Sequence, residues 1–188
     1  MALNKAQAAR QTAAMFEGLT GQKLPDVSRD TRSMLRFLFP GPSDRFPIAT
    51  KLAAEKLGVS QRTVQRWSRG AQTPRTEITK EITKRVRQAV TTKRGRAQLA
   101  KRMTAQLPNK IRTIRVQALQ GPSSDPLDKD YVTDRYSNFE MSPDEQQRLY
   151  DAWVQGGDTA ATDYLAGLYD TRYVDGWQFH GIKGVDWL

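Results

Sequence analysis

The stretch GVSQRTVQRW, residues 58–67, decides how the N-terminal half of this chain is interpreted. It follows the segment IATKLAAEKL (48–57), whose apolar residues have helical spacing. A glycine in the position of Gly58 is typical of a left-handed helix C-cap, and Ser60 is a favoured N-cap. The stretch therefore predicts helices at 48–57 and 61–69, joined by a tight turn.

The small and apolar residues here have the spacing of a helix-turn-helix. Such a unit needs a small residue where its helices cross, positive φ in the turn, and apolar anchors in both helices. These positions are filled by Ala54, Leu57, Gly58, Val59, Val64 and Trp67. In the major groove Gln pairs with adenine and Arg with guanine, while a helix N-terminus holds phosphate. The predicted DNA contacts are Gln61, Arg62, Gln65, Arg66 and Arg69 to bases, and Ser60 and Thr63 to phosphate.

The charge of the chain supports this interpretation over a plain α-helical hairpin with a polar exterior. The net charge is +10, but residues 1–115 hold 25 Lys and Arg against 7 acidic residues. Residues 116–188 hold 5 against 13. Such a division indicates a polyanion-binding N-terminal part and a C-terminal part with another task.

A basic helix is predicted from the segment TPRTEITKEITKRVRQAV, residues 73–90. Residues 80–102 carry nine Lys or Arg and one acid, too uneven a ratio for a lattice of i,i+4 ion pairs. The alternative is a charged face that is merely solvated. Phosphate contact is the favoured interpretation, through Lys80, Lys84, Arg87, Lys93, Arg94 and Arg96.

The rest of the chain predicts an α+β protein with an N-terminal all-α helix-turn-helix domain and a small acidic α+β C-terminal domain. The expected domains are a helical extension (1–40), the helix-turn-helix domain with its basic helix (41–105), and an interaction or priming domain (106–188). A helix is expected at 2–18, a second capped by Ser28, a loop at 40–47, a strand at 110–119, helices at 143–155 and 158–170, and one or two strands in the tail. The C-terminal domain is expected to fold from near Gly121, or from near Asn109 if the strand belongs to its sheet.

Few residues of this chain suggest chemistry of their own. Cysteine is absent, which excludes a disulfide framework, a thiolate metal site and a Cys nucleophile. His180 is the only histidine, so neither a metal site nor a cofactor is expected. No apolar run approaches the ~18 residues of a membrane span, and a cytoplasmic, nucleoid-associated protein is expected.

The order of motifs resembles the terminal proteins of linear actinobacterial plasmids and chromosomes, which protect telomeres at DNA 5′ ends. The resemblance runs over about residues 48–188. It rests on KLAAEKLGVSQRTVQRW, the basic helix, RTIRVQALQGPSSDP, MSPDEQQRLYDAWVQG and FHGIKGVDWL. Residues 1–40 are not part of that pattern, and the tail is short.

The resemblance implies a protein that binds telomere DNA and primes end replication with one of its own hydroxyl groups. It is then a nucleotide acceptor and not itself an enzyme, because a partner DNA polymerase supplies the metal ions. The position matching the family's acceptor is Thr113, with Arg112 and Arg115 expected to hold incoming phosphates. Other threonines lie nearby, at positions 91, 92 and 104, and Thr113 is also an ordinary strand former.

A second hypothesis comes from a different class of protein. The chain is then a sequence-specific helix-turn-helix repressor, or a regulator of plasmid replication or partition. In that case residues 116–188 form a homodimer or meet a partner protein. This hypothesis predicts a two-fold dimer on a palindrome, whereas a terminal protein predicts a single DNA-bound unit that contacts a polymerase or a telomere-associated protein.

Overall fold

The structure is a computed structural model that describes residues 5–26, 30–105 and 107–188, and it has the predicted α+β composition. The elements in these ranges are α1 (Lys5–Thr20), α2 (Thr31–Leu38), β1 (Pro40–Ser43), β2 (Phe46–Ile48), α3 (Thr50–Leu57), α4 (Gln61–Ser68), α5 (Thr76–Thr91), α6 (Lys93–Thr104), β3 (Arg112–Gly121), β4 (Thr133–Met141), α7 (Pro143–Arg172) and β5 (Gln178–Trp187). None of the described helices combines the length and the apolar character that a bilayer crossing requires.

The chain forms two compact units, and their limits differ from the predicted domains. One unit, here called the inserted unit, is Pro25–Thr92. The other, called the split unit, combines Met1–Leu24 with Lys93–Leu188. The predicted boundaries at 40/41 and 105/106 each fall inside one of these units.

The core of the inserted unit lies between α2 and α5. Met34, Leu35 and Phe37 are buried on α2, as are Ile82 and Val86 on α5. The expected N-cap of α2, Ser28, lies outside the described residues. At the observed start of α2 the Asp30 carboxylate accepts a hydrogen bond from the Ser33 N–H.

The segment 40–47, predicted to be a loop because of its three prolines, instead forms a β-hairpin of β1 and β2. Its turn is held by the Ser43 hydroxyl, which accepts the Phe46 N–H at 3.3 Å. At its base the Ala49 N–H donates to the Phe39 carbonyl at 2.9 Å. Prolines are tolerated because these strands are short and lie at an edge.

The split unit contains a three-stranded antiparallel sheet in the order β4-β3-β5. The central strand is β3, which confirms the strand predicted at 110–119. Ile114, Val116 and Ala118 are fully buried on its helix-facing side. The aromatic tail forms one strand, β5. A fragment beginning near Gly121 would lack this central strand, so the condition under which the C-terminal fragment was expected to begin near Asn109 is met.

The N-terminal helix α1 packs on β5, which makes it part of the same unit as the C-terminal residues. At Gly18 the two elements approach so closely that a Cβ atom there would lie 2.3 Å from Val185 Cβ. Met15 and Phe16 are fully buried beside it. The Tyr150 hydroxyl of α7 donates to the Leu19 carbonyl at 2.5 Å, which fixes the end of α1.

Two further helices complete the split unit. The segment after the basic helix forms α6, which packs against α7 through Leu99 and Ala100. The two helices predicted at 143–155 and 158–170 are confirmed, because α7 is interrupted between them at Gly157, whose φ of 70° and ψ of −153° are not helical. Because α6 belongs here, the split unit has 16 Lys and Arg against 14 acidic residues, and the inserted unit has 14 against 6. The split unit as a whole is therefore not acidic, although its residues 116–188 are.

Candidate nucleic-acid interface

A turn of three residues joins α3 to α4. Gly58 has φ 66° and ψ 33°, a left-handed conformation that favours glycine, and the Val59 N–H donates to the Ala54 carbonyl at 3.0 Å. Ser60 then caps α4, since its hydroxyl accepts the Thr63 N–H at 3.2 Å. These features fix the direction in which α4 leaves the turn.

One side of α4 is anchored in the core and the other faces solvent. Val64 and Trp67 are buried, as their spacing predicted. Gln61, Arg62, Arg66 and Arg69 are exposed, while Gln65 and Thr63 are half-buried. Four of the five predicted base-contacting side chains therefore lie fully on the outer surface of this helix.

The arginines of α4 have no acidic partner in the described part of the chain, where the ion pairs involve other residues. The nearest pair along the chain in this unit is Lys56 with Glu55, at 3.8 Å. A guanidinium that is not neutralised by a carboxylate keeps its five donors for another anion or for a base edge.

A side-chain hydrogen bond links the first residues of α3 and α4. The Gln61 amide nitrogen donates to the Thr50 hydroxyl oxygen at 3.0 Å. Both residues line a surface concavity of about 380 Å³ that also includes the half-exposed Leu52. Thr50 and Gln61 are the first residues of their helices, and their contact was not predicted from the sequence.

The outer face of α5 carries the predicted phosphate contacts. Lys80, Lys84 and Arg87 are all exposed, and none of them belongs to the ion pairs found among the described residues. Of the two acidic residues of this helix, Glu77 and Glu81, Glu81 pairs with Arg85, at 2.6 Å. The hydrogen bond from Arg85 holds the pKa of Glu81 below its usual value. Glu81 is therefore ionised and partly neutralised by a residue outside the proposed contact face.

The three cations predicted on the following segment lie on α6, in the split unit. Lys93 and Arg94 are exposed at the start of that helix. Arg96 is half-buried, and its guanidinium donates to the Val154 carbonyl at 3.2 Å, next to the kink at Gly157. We therefore assign Arg96 to the packing of α6 on α7 and leave it out of the interface.

The predicted nucleotide acceptor, Thr113, lies on β3 opposite Glu140 of β4. It is half-buried on the face of the sheet opposite to Ile114. Its backbone carbonyl accepts the Leu188 N–H at 2.9 Å. Among the described residues its hydroxyl makes no hydrogen bond. By contrast, the hydroxyl groups of Thr91 and Thr92 donate to helix carbonyls.

The two arginines expected beside Thr113 lie on opposite faces of the sheet. Arg115 shares the face of Thr113, and its Cζ atom lies 5.9 Å from the centroid of the Tyr136 ring. Arg112 is on the helix-facing side, 4.4 Å from the centroid of the Trp187 ring. Strand alternation therefore leaves Arg115 alone to accompany Thr113.

Two further observations concern residues that were predicted neither as DNA contacts nor as the nucleotide acceptor. The ring of His180, in β5, shares a hydrogen bond of 2.8 Å with the Ser123 carbonyl. The β1–β2 hairpin presents Phe46, which is 60% exposed, with the Arg45 guanidinium 5.6 Å from its ring centroid. This pair was missed because the prolines around it indicated a loop.

Comparison of the chain with known protein families, with curated proteins and with solved structures found no match.

Proposed function

We propose that the inserted unit is a helix-turn-helix module that binds duplex DNA, with α4 in the major groove. The observation that carries this proposal is the division of α4 into a buried side and an outer side. Val64 and Trp67 hold the helix, and Arg62 and Arg66 project outward without acidic partners. Arginines in this position are suited to the acceptor atoms of guanine.

The outer face of α5 adds affinity that does not depend on sequence. Lys80, Lys84 and Arg87 recur at intervals of three and four residues, so they form one row along the helix. Each cation that neutralises a phosphate releases counterions, which makes binding weaker as the salt concentration rises. The net charge of the inserted unit has the sign that this role requires.

Within this proposal the protein is a terminal protein, and Thr113 accepts the first nucleotide. The Thr113 oxygen would attack the α-phosphorus of a deoxynucleoside triphosphate, pyrophosphate would leave, and the hydroxyl proton would pass to solvent. A partner polymerase would hold the metal ions. The support is the resemblance, the Thr113 hydroxyl, which makes no hydrogen bond to any residue that the structure describes, and Arg115 on the same face. Telomere binding and association with the nucleoid follow from this proposal.

The DNA-binding proposal is tested on a duplex enriched from a randomised pool by the full-length chain. We expect Arg62→Ala and Arg66→Ala each to weaken binding by about 1–3 kcal/mol and to relax the sequence preference. The triple variant with Gln at positions 80, 84 and 87 should lower the slope of log K against log salt by about 2–3. Arg148→Gln, an exposed cation of the split unit, is the matched control. Equal affinity and equal slope in all variants would refute the proposal.

The priming proposal is tested on terminal restriction fragments of the host replicon. A terminal protein remains attached to these fragments after treatment with SDS. Thr113→Val should abolish the attachment and Thr113→Ser should retain it, because only serine keeps the hydroxyl. If the fragments carry no protein but the chain binds a palindrome as a two-fold dimer, the repressor hypothesis replaces this one.

A further inference from the structure

We propose that Gln61 reads an adenine base and that Thr50 is the residue that positions it. This inference rests on the proposed DNA binding by α4, and it adds which of the two glutamines reads adenine and how that side chain is held. The observation behind it is the hydrogen bond of 3.0 Å from the Gln61 amide nitrogen to the Thr50 hydroxyl oxygen.

The chemistry of a primary amide makes this arrangement selective. The amide of Gln61 has two N–H donors and one carbonyl acceptor, and the bond to Thr50 uses one donor. The remaining N–H and the carbonyl form an adjacent donor and acceptor. Adenine presents the complementary pair in the major groove, an N7 acceptor and an N6 amino donor. Guanine presents two acceptors there, so it offers no partner for the amide carbonyl.

Its position on α4 makes Gln61 better suited than Gln65 to contact an adenine base. The residues at the N-terminal end of a recognition helix are the ones that reach base edges. Gln61 is the first residue of α4 and is exposed, whereas Gln65 is one turn further along and half-buried. We therefore assign the adenine contact to Gln61.

Thr50 is suited to the positioning role. It is the first residue of α3, and it is half-buried. A threonine side chain in a helix has two main χ1 rotamers, which limits the positions that its hydroxyl oxygen can take. In accepting from Gln61 the hydroxyl keeps its own hydrogen, which is available to a phosphate oxygen. Holding Gln61 before binding reduces the side-chain entropy that is lost when the complex forms.

The experiment uses the full-length chain and a pool of duplexes with about 20 randomised base pairs, the length that two successive half-sites require. Wild type, Gln61→Ala, Thr50→Val and Thr50→Ser are each used to enrich sequences. We expect wild type to select adenine at one position of the site where Gln61→Ala has no preference. Thr50→Val, which is isosteric without the hydroxyl, should weaken that preference, and Thr50→Ser should restore it.

A chemical probe then isolates the contact on the enriched duplex. Replacing the selected adenine with 7-deazaadenine removes the N7 acceptor and leaves the N6 amino group. We expect this replacement to weaken wild-type binding, while Gln61→Ala should bind both duplexes equally. Changing the base pair to G·C should weaken wild type by about 5- to 150-fold. Gln147→Ala is the matched control, because the exposed Gln147 amide also donates to a neighbouring exposed side chain, Asp151, in α7 of the split unit.

The outcomes separate this inference from the proposed function. If wild type enriches no sequence, base reading by α4 fails and the adenine contact fails with it. If wild type enriches a site, but Gln61→Ala and wild type select the same base at every position, DNA binding stands and the adenine contact is overturned. A preference that depends on Gln61 but is identical in Thr50→Val would overturn the role of Thr50.

Discussion

The inserted unit and the split unit differ in how far apart along the chain their contacting residues lie. All elements of the inserted unit follow one another between Pro25 and Thr92. The split unit joins the two ends of the chain, as shown by the Ile182 N–H, which donates to the Gln11 side chain 171 positions away. The two units also differ in charge, since the excess of basic residues is concentrated in the inserted unit.

This difference explains why the sequence predicts the local surroundings of the α4 residues better than those of Thr113. Helix caps, turn glycines and periodic apolar residues are local signals, and they determine most of the inserted unit. The environment of Thr113 depends on the strands that pair with β3, which come from distant parts of the chain. A local pattern does not specify such partners.

The largest expected effect comes from removing α1, which tests the division into units most directly. Met15, Phe16 and Leu19 are almost completely buried, and burying each such side chain contributes about 1.5–3 kcal/mol. Their sum is comparable to the total stability of a typical domain, about 5–15 kcal/mol. Residues 93–188 alone should therefore fail to fold cooperatively in thermal unfolding, and adding a peptide of residues 1–24 should restore the transition.

The inserted unit supplies the control for this experiment. A fragment of residues 25–92 lacks α1 and the whole C-terminal part, yet it keeps every element of its own core. We expect it to unfold cooperatively and to show the amide protection of α2 and α5 in hydrogen exchange. Cooperative folding of 93–188 without the peptide would contradict the assignment of α1 to the split unit.

Three features of the fold show which kinds of structure can be predicted from this sequence and which cannot. The turn at Gly58 and the cap at Ser60 were correct because each depends on neighbours within four residues. The strand β4 was missed because its residues before Phe139 are mostly polar and exposed, so no apolar alternation marks them. The placement of α1 on β5 was missed because helical periodicity gives the buried side of a helix but not its partner.

The second prediction compares two glycines within helices of the split unit. Gly18→Ala places a methyl group 2.3 Å from Val185 Cβ and 2.5 Å from the Val185 carbonyl oxygen. We expect a loss of about 1–3 kcal/mol in the free energy of unfolding, because α1 and β5 must separate. Gly167→Ala, in α7, meets no atom within 4 Å and should stabilise by about 0.5–1 kcal/mol. Chemical denaturation of both variants measures these two changes in the free energy of unfolding.

The two glycine variants also test whether the close packing of α1 on β5 is present in solution. If both substitutions stabilise the protein by similar amounts, helix propensity alone determines them, and the close approach of α1 to β5 is not maintained in solution. Hydrogen exchange in the inserted unit should be unchanged in both variants.

The sequence predicts the residue types of the candidate site better than the burial and contacts of their side chains. The arginines of α4 follow from helical spacing alone. The half-burial of Gln65 and the use of Arg96 in packing depend on tertiary contacts. The separation of Arg112 from Arg115, by contrast, follows from strand alternation alone. The pair of Thr50 and Gln61 requires the angle between two helices, which a turn sequence does not give.

The smallest expected effect concerns a local signal inside the split unit, the capping box at the start of α7. The Ser142 hydroxyl accepts the Glu145 N–H at 3.3 Å, and the Glu145 carboxylate accepts the Ser142 N–H at 2.9 Å. Burial raises the pKa of Glu145, but the hydrogen bonds from Ser142 and the charge of Arg172 outweigh it, so its pKa is lowered overall. Glu145→Gln keeps the reach of the side chain and removes only the charge.

Because the pKa of Glu145 is lower in the folded state, its ionised form stabilises the protein at pH values above the unfolded value of 4.5. We expect Glu145→Gln to lose about 0.5–1 kcal/mol near neutral pH. The difference from wild type should shrink as the pH falls below 4.5 and vanish once the folded-state carboxyl is protonated. Asp144→Asn, which removes a charge from the same helix turn without touching the capping box, should cost less. Denaturation of the three proteins between pH 3 and pH 7 checks this. A difference that persists unchanged at the lowest pH would show that Glu145 acts through packing and not through its charge.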